Sequence, residues 1–349
     1  MLPRRILLGL SLLLGGGLPG CGGATDVGGG AATPKSRKIV FVGFDVSTRL
    51  LEAVEEGKLQ GTVAQDPFRM GRLGVKTVVD VLEGHPVEAK VTTGETLVTP
   101  ENLKEEAVAG VLHPPRVDGR ADPGGSGAKA KKWRVMVIPK GTTHEFWQSV
   151  HAGASKAAEE SGEVEMIWQG PAREDDRTEQ IKLVQGAVAS EVNGIVLAPL
   201  DAKALVEPVE QAIAKGIKVV IIDSGLESSK ISSFVATDNY HGGVLAAMRL
   251  GGVLRGEGRI VLMRYAVGSA STDDRERGFT ETMAREFPKI TYLSDDQFAG
   301  ATSDLAQQKA QNLITKFRSR MDGVFCSNES STVGMLRALE GAGLLAGKP

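Results

Sequence analysis

The chain has 349 residues, 41% of them hydrophobic, and 41 lysines and arginines stand against 43 aspartates and glutamates for a formal net charge of −2. That length leaves room for two lobes of ordinary domain size, and a balanced charge with no basic patch argues against a nucleic-acid partner. Only Cys21 and Cys326 are present, too few for a disulfide framework.

The chain opens with Arg4 and Arg5, then the apolar run ILLGLSLLLGGG, which is too short to span a bilayer, and then Leu18-Pro19-Gly20-Cys21. This resembles a bacterial lipoprotein signal over residues 1–21. The resemblance implies export, lipidation of Cys21 and attachment to a membrane through that lipid. An ordinary secretory signal is the alternative. Residues 22–37, rich in Gly, Ala and Thr, read as a flexible tether. No later run is long enough to cross a membrane.

KIVFVGF, beginning at Lys38, reads as a buried strand, and GTVAQDP and TLVTPENLK follow it. Residues 105–131 are rich in Gly, Pro and charge and read as a linker, a coil with an end-to-end distance of ~30 Å. From Trp133 onward, β-rich runs (WRVMVIP, VEMIWQG, GIVLAPL, KVVIIDS, SSFVATD) alternate with amphipathic stretches such as FWQSVHAGASKAAEESG and ALVEPVEQAIAKG. A second set, RIVLMR, ITYLSDD and GVFCSN, ends in the helix-like STVGMLRALEGAGLLAG without a following strand. Such alternation predicts parallel sheets covered by helices on both faces. Cys326, inside an apolar strand, is expected to behave as a small hydrophobe. The charge run from Arg173 to Arg177 reads as a solvated loop or helix start, and His151 is expected to face solvent.

Taken from Trp133 to Pro349 and then from Arg37 to Lys104, these segments resemble the ribose-binding-like periplasmic sugar receptors of ABC transporters. The resemblance implies an α/β type I periplasmic-binding-protein fold, with two doubly wound parallel-sheet lobes joined by a three-strand hinge. Here the order is circularly permuted, with KIVFVGF supplying the strand missing after Pro349. The first lobe would comprise residues 132–237 and 67–93, and the second 238–349, 38–66 and 94–104. A swap of the early segment between two chains is the alternative to completion within one. A break between Pro349 and Lys38 falls in a helix-to-strand connection, whereas ligands of open α/β sheets bind beyond the strands' carboxyl ends.

The same resemblance places the ligand site. His144, Phe146 and Trp147 match the position of a polar residue followed by aromatics. A sugar presents a weakly apolar C–H face and a ring of hydroxyls, which aromatic walls and planar polar groups bind. One of the two aromatics could instead belong to the core. Asp223, after VVIID, matches a carboxylate that accepts sugar hydroxyls, with helix capping as the alternative role. Arg275, in R-x-x-G-F, matches a guanidinium over the sugar ring, with Arg277 its surface neighbour. Asn328, Asp45 and Gln65 match further ligand positions. Asp238 and Asn239 read as hinge and capping residues, with a ligand contact as the alternative role of Asn239.

Other chemistries fit poorly. LEGAGLLAGKP departs from a phosphate loop at both its first glycine and its Ser/Thr position, no G-x-S-x-G elbow occurs, and the histidines lack metal-ligand spacing. The expectation is therefore a receptor, not an enzyme, with no cofactor, no metal and no catalytic residue. Its partners would be a monosaccharide-type sugar and the permease subunits of an ABC importer. A sensor handing its closed form to a membrane signalling receptor is the alternative.

Overall fold

The computed structural model describes residues 38–116 and 132–347. In chain order these form β1 (Val40–Phe44), α1 (Thr48–Glu55), β2 (Gly61–Gln65), α2 (Pro67–Leu82), β3 (Lys90–Thr92), β4 (Glu95–Val98) and α3 (Glu106–Leu112). After the second stretch begins come β5 (Trp133–Ile138), α4 (Glu145–Ser161), β6 (Val164–Trp168), α5 (Arg177–Ala189), β7 (Gly194–Leu197), α6 (Val206–Ala214), β8 (Lys218–Ile222) and β9 (Ser233–Ala236). The remainder is α7 (Asn239–Val253), β10 (Glu257–Arg264), α8 (Ala270–Glu286), β11 (Lys289–Phe298), α9 (Ser303–Phe317), β12 (Gly323–Cys326) and α10 (Glu329–Gly341).

The short apolar runs become strands because sheets buried on both faces accept side chains in both directions. One six-stranded sheet has the order β3-β9-β8-β7-β5-β6 and the other β11-β10-β12-β1-β2-β4. All pairs are parallel except β2 with β4. β1 is inserted between β12 and β2 within the same chain, with Val40 opposite Gly323 and Val42 opposite Gly61. The segment that precedes residue 105 thus supplies three of this sheet's six strands, β1, β2 and β4, running from its centre to one edge, and the strands on the other side of β1 all come after residue 256. β3 pairs with β9 at the edge of the first sheet, Lys90 opposite Phe234.

The backbone passes between the two sheets from Gln65 to Pro67, from Thr92 to Glu95 and from Ala236 to Asn239. Side chains tie these crossings together: Thr237 Oγ1 donates to Gln65 Oε1 at 2.7 Å, and Glu95 lies 2.6 Å from His241 Nδ1. Asp66 and Asp238 cap α2 and α7 by accepting from Arg69 N and His241 N, and Pro67 takes the first turn of α2, where no N–H is needed.

Each lobe contains a pair of helices whose backbones meet at reciprocal glycines. A Cβ on Gly71 of α2 would stand 2.0 Å from Val150 O, and one on Gly153 of α4 would stand 1.9 Å from Phe68 O. In the other lobe, Gly243 of α7 meets Arg275 O at 2.0 Å and Gly278 of α8 meets Tyr240 O at 2.1 Å in the same sense. Cys326 is fully buried on β12, and burial pushes its thiol pKa well up.

Several expectations are corrected. The stretch 105–131 is not all linker, because α3 lies within it and Val108 and Leu112, one helical turn apart, pack with Val46, Ala64 and Val98. His151 does not face solvent: it is 3% exposed and stacks on Trp168, with ring centroids 4.3 Å apart. The apolar surroundings of α4 outweigh the preference of a lone histidine for water. Cys21, the tether 22–37 and residues 117–131 lie outside the described residues. Among the described residues no helix is long and apolar enough to cross a membrane.

Candidate ligand-binding cleft

Strand carboxyl ends from both sheets, with the helix starts that follow them, converge on one cavity. Its lining includes Asp45, Gln65, His144, Phe146, Trp147, Asp223, Arg275 and Asn328, the eight residues that the resemblance assigns to the ligand, whereas Asn239 is not part of it. Lys140, Glu174, Tyr265, Ser271, Thr272 and Glu329 complete it.

Asp45 follows β1 and Asp223 follows β8, one in each lobe, and both adopt left-handed backbone conformations, φ 71° and φ 62°. Aspartate is among the few non-glycine residues that tolerate this region. Asp45 Oδ1 accepts from Gln65 Nε2, and its Oδ2 accepts from Glu329 N at 2.8 Å. Burial raises the Asp45 pKa, opposed by the charge of Arg275. Asp223 does not cap a helix. Its Oδ2 lies 2.8 Å from Lys140 Nζ, in a pair only 5% and 4% exposed.

Arg275 is buried on α8. Its Nε donates to Asn239 Oδ1 at 2.8 Å, its Nη1 donates to Ser327 O at 3.0 Å, and its Cζ lies 3.8 Å from the Phe44 ring centroid. Nη2 has no partner among the described residues. Asn239 therefore acts at the hinge by holding the arginine. Arg277 is exposed and pairs with Asp274. Asn328 caps α10, its Oδ1 accepting from Ser331 N, while its Nδ2 donates to Ser330 Oγ at 3.0 Å.

Phe146 and Trp147 meet edge to face, centroids 4.8 Å apart, and both are buried. Trp147 Nε1 donates to Glu174, which corrects the reading of Arg173 to Arg177 as wholly solvated. Arg173 and Asp175 are exposed, and Asp176 caps α5, but Glu174 turns inward. There it meets His144 Nδ1 at 2.8 Å and accepts from the Tyr265 hydroxyl. Burial disfavours both charges, yet their mutual attraction wins: it holds His144 up at about 9 and Glu174 down at about 2. Glu329, with no such partner of its own, is pushed up to about 7 by burial, with His144 opposing.

The two lobes touch across this cavity. Lys140 Nζ reaches Ser269 Oγ at 3.3 Å and Ser271 Oγ at 3.1 Å, Ser271 N donates to Ser224 Oγ at 3.1 Å, and Phe146 N donates to Glu329 Oε2 at 3.4 Å. The space left is about 30 Å³, suited to water-sized rather than sugar-sized contents. The polar groups turn toward one another where hydroxyls of a ligand could replace them.

Sequence reasoning missed Lys140, Glu174, Tyr265 and Glu329. Lys140 and Tyr265 had a usable signal, since each sits just past a strand's carboxyl end, as Asp45 and Asp223 do.

The periplasmic binding protein domain family matches residues 135–349, more than half of the chain. The chain belongs to this family. Within the periplasmic binding proteins it is 27% identical over 232 residues to the ribose import binding protein of Bacillus subtilis, covering 66% of this chain and 72% of that one. It is 28% identical to the xylitol-binding protein of Mycolicibacterium smegmatis over 52% of this chain, and spans only half of that relative's length. Among solved structures, the periplasmic component of an ABC-type sugar transport system from Hahella chejuensis superposes with a TM-score of 0.58 at 33% identity, covering 60% of this chain and 76% of that one. A solute binding protein from Agrobacterium vitis with bound D-fucose gives a TM-score of 0.58 at 33% identity, over 60% of this chain and 72% of that one.

Proposed function

We propose that this protein is the extracytoplasmic receptor of an ABC importer for a monosaccharide-type sugar, binding without catalysis and closing its lobes around the ligand. The observation that carries the reading is the joint lining of one interlobe cavity by an aromatic pair, Phe146 and Trp147, and forked polar groups from both lobes, Asp45, Asp223 and Arg275. Aromatic edges and faces suit sugar C–H groups, and paired carboxylates with a guanidinium suit adjacent hydroxyls. A sugar that contacts both lobes stabilises the closed arrangement, which a permease can then recognise.

The arrangement of segments fits a circular permutant, the first lobe formed by 132–237 with 67–93 and the second by 238–349 with 38–66 and 94–104. The insertion of β1 beside β12 and the family match confined to 135–349 support this. Export, with an anchor at Cys21, completes the proposal.

A thermal-shift panel of aldoses, ketoses and alditols tests the function. A ligand at 100 times its dissociation constant adds about 2.7 kcal/mol of stability, a plainly visible shift. Silence across the panel at millimolar concentrations sinks the sugar-receptor reading.

A further inference from the structure

Glu174 is the cleft residue whose contacts divide most cleanly between the lobes. It leaves the connection from β6 to α5, a stretch whose neighbours Arg173 and Asp175 are exposed, and its own side chain is only 6% exposed. Room for it is built in at Gly141, where a Cβ would lie 2.8 Å from Glu174 Cγ. Oε1 serves the first lobe, accepting from Trp147 Nε1 and pairing with His144 Nδ1. Oε2 serves the second lobe, accepting from the hydroxyl of Tyr265, which stands just past β10 and is 2% exposed.

The division has a mechanical meaning. Contacts through Oε1 lie within one lobe and survive any hinge motion. The bond through Oε2 joins β10's end to the first lobe, so it exists only while the lobes are together. A carboxylate buried with one oxygen unpaired is costly, and the phenol relieves that cost on closure. The groups that face this cluster are His144 and Trp147 from the start of α4 and Tyr265 from β10, with the charges of Arg275 on α8, Asp223 after β8 and the neighbouring Asp175 nearby. His144 itself also feels Glu329 from α10 and Asp45 from β1.

We propose that Glu174 is a positioning residue that couples ligand orientation to lobe closure. Through Oε1 it sets the His144 imidazole and the Trp147 indole as one wall of the site, and through Oε2 it is completed by Tyr265 when the lobes meet. The ligand half of this statement rests on the sugar-receptor reading above; the coupling half does not.

The experiment uses the wild type, Glu174→Gln and Tyr265→Phe, with the double variant. Glutamine keeps the size but has a single acceptor oxygen: turned to Trp147, it presents an amide NH2 rather than an acceptor to the Tyr265 hydroxyl, and it cannot pair with a charged imidazole. In ligand-free protein, the titration of His144 is followed by NMR of its ring carbon, and lobe separation by electron–electron distance between spin labels on α5 and α9. Binding is measured by calorimetry with D-ribose, D-xylose and xylitol as probes.

Glu174→Gln should move the His144 midpoint down from about 9 towards the ordinary histidine range, and it should weaken any probe that binds by about tenfold or more. Tyr265→Phe should leave the His144 midpoint in place, widen the distribution of lobe separations and speed probe dissociation. The double variant should be no more open than Glu174→Gln alone. An unmoved His144 midpoint in Glu174→Gln, or a Tyr265→Phe protein as closed as the wild type, overturns the proposal. If none of the probes binds wild type, the receptor reading falls for these ligands, while the midpoint and the separation still decide the coupling.

Discussion

The guanidinium carbon of Arg275 lies 3.8 Å from the centre of the Phe44 ring, so an arginine of α8 rests on an aromatic of β1, far apart in sequence. Cation–π contact at a desolvated site contributes about 2 kcal/mol or more. Hydrogen bonds to Asn239 and Ser327 fix the same side chain from two other directions. Arg275→Ala is therefore expected to cost about 2 to 4 kcal/mol in sugar binding and also to lower the melting temperature, because it empties a buried, hydrogen-bonded position. Calorimetry on the folded fraction and a melting curve measure the two effects separately. Unchanged affinity would remove Arg275 from the site.

Lys140 and Asp223 form a buried pair at 2.8 Å. Lys140→Met leaves Asp223 without its cation and should destabilise the protein by about 3 to 5 kcal/mol, the range for breaking one side of a buried pair. Adding Asp223→Asn should recover a good part of that loss, since no uncompensated charge is then buried. Urea denaturation of the two variants checks this; a single variant as stable as wild type would show that the pair contributes nothing.

The pH dependence of stability has a definite sign at each end. Glu174, held down at about 2, contributes stability that is present above its unfolded value near 4.5 and is lost as pH falls from there towards 2. Glu329 and Glu276, each raised to about 7 chiefly by burial, are most favourable to folding below 4.5, and their contribution declines as pH rises from 4.5 through 7. His144, raised to about 9, contributes fully below 6.5 and loses its share as pH rises through 9. Together these groups place the stability maximum on the acid side, near pH 5. Melting temperatures across pH 3 to 9 should show it, and Glu329→Gln should flatten the decline between 4.5 and 7. A maximum at pH 8 or above contradicts these assignments.

Gly153 faces the carbonyl of Phe68 so closely that a methyl group cannot enter without moving α2. Gly153→Ala is expected to destabilise by about 1 to 3 kcal/mol, the usual cost of overpacking. The same cost should appear for Gly71→Ala on the opposing helix, and the two together should cost less than their sum, because the first already separates the helices. Additive losses in chemical denaturation would mean that α2 and α4 do not meet as described.

Cys21→Ser tests the anchor. Expressed in a bacterial host, the wild-type protein should partition into detergent and carry lipid mass at the mature N-terminus, while the variant should stay in the aqueous phase. Equal solubility of both forms, with a mature N-terminus elsewhere, would leave the protein free in the periplasm.

Most strands were legible because they are short apolar runs that need no partner to be recognised, as GVFC and KVVII illustrate, whereas β3, only Lys90–Thr92 with both ends exposed, carries no such run. Helices with broad apolar faces, such as α4, were equally plain. α3 was not, since EAVAGVL sits between a charged stretch and a Pro-rich one, and its two buried residues gain meaning only from Val46 and Val98. In the cleft, Asp45, Asp223 and Asn328 were marked by position at strand ends. Glu174 was hidden because the run Arg173-Glu174-Asp175-Asp176-Arg177 reads as solvated, and only the distant Tyr265 and His144 offset the cost of its burial. Glu329 likewise looks like an ordinary acidic residue in a helix's first turn, where acids are common. Its buried setting depends on Phe146 from the other lobe.

The pairing of β1 with β12 sets a timetable for synthesis. A ribosome emits β1, β2 and β4 long before Gly323, so these strands wait with β1's edge open until nearly the last described residues have been made. The first lobe can assemble as soon as β9 emerges, since all its strands and α2 are then present. The second cannot. A nascent chain stalled between these two points carries one finished lobe and a central strand with nothing on one side, an open template for pairing with another chain. Keeping β1 covered over that interval is the task of whatever holds the unfinished chain, and production at high rate should strain this step before it strains any other.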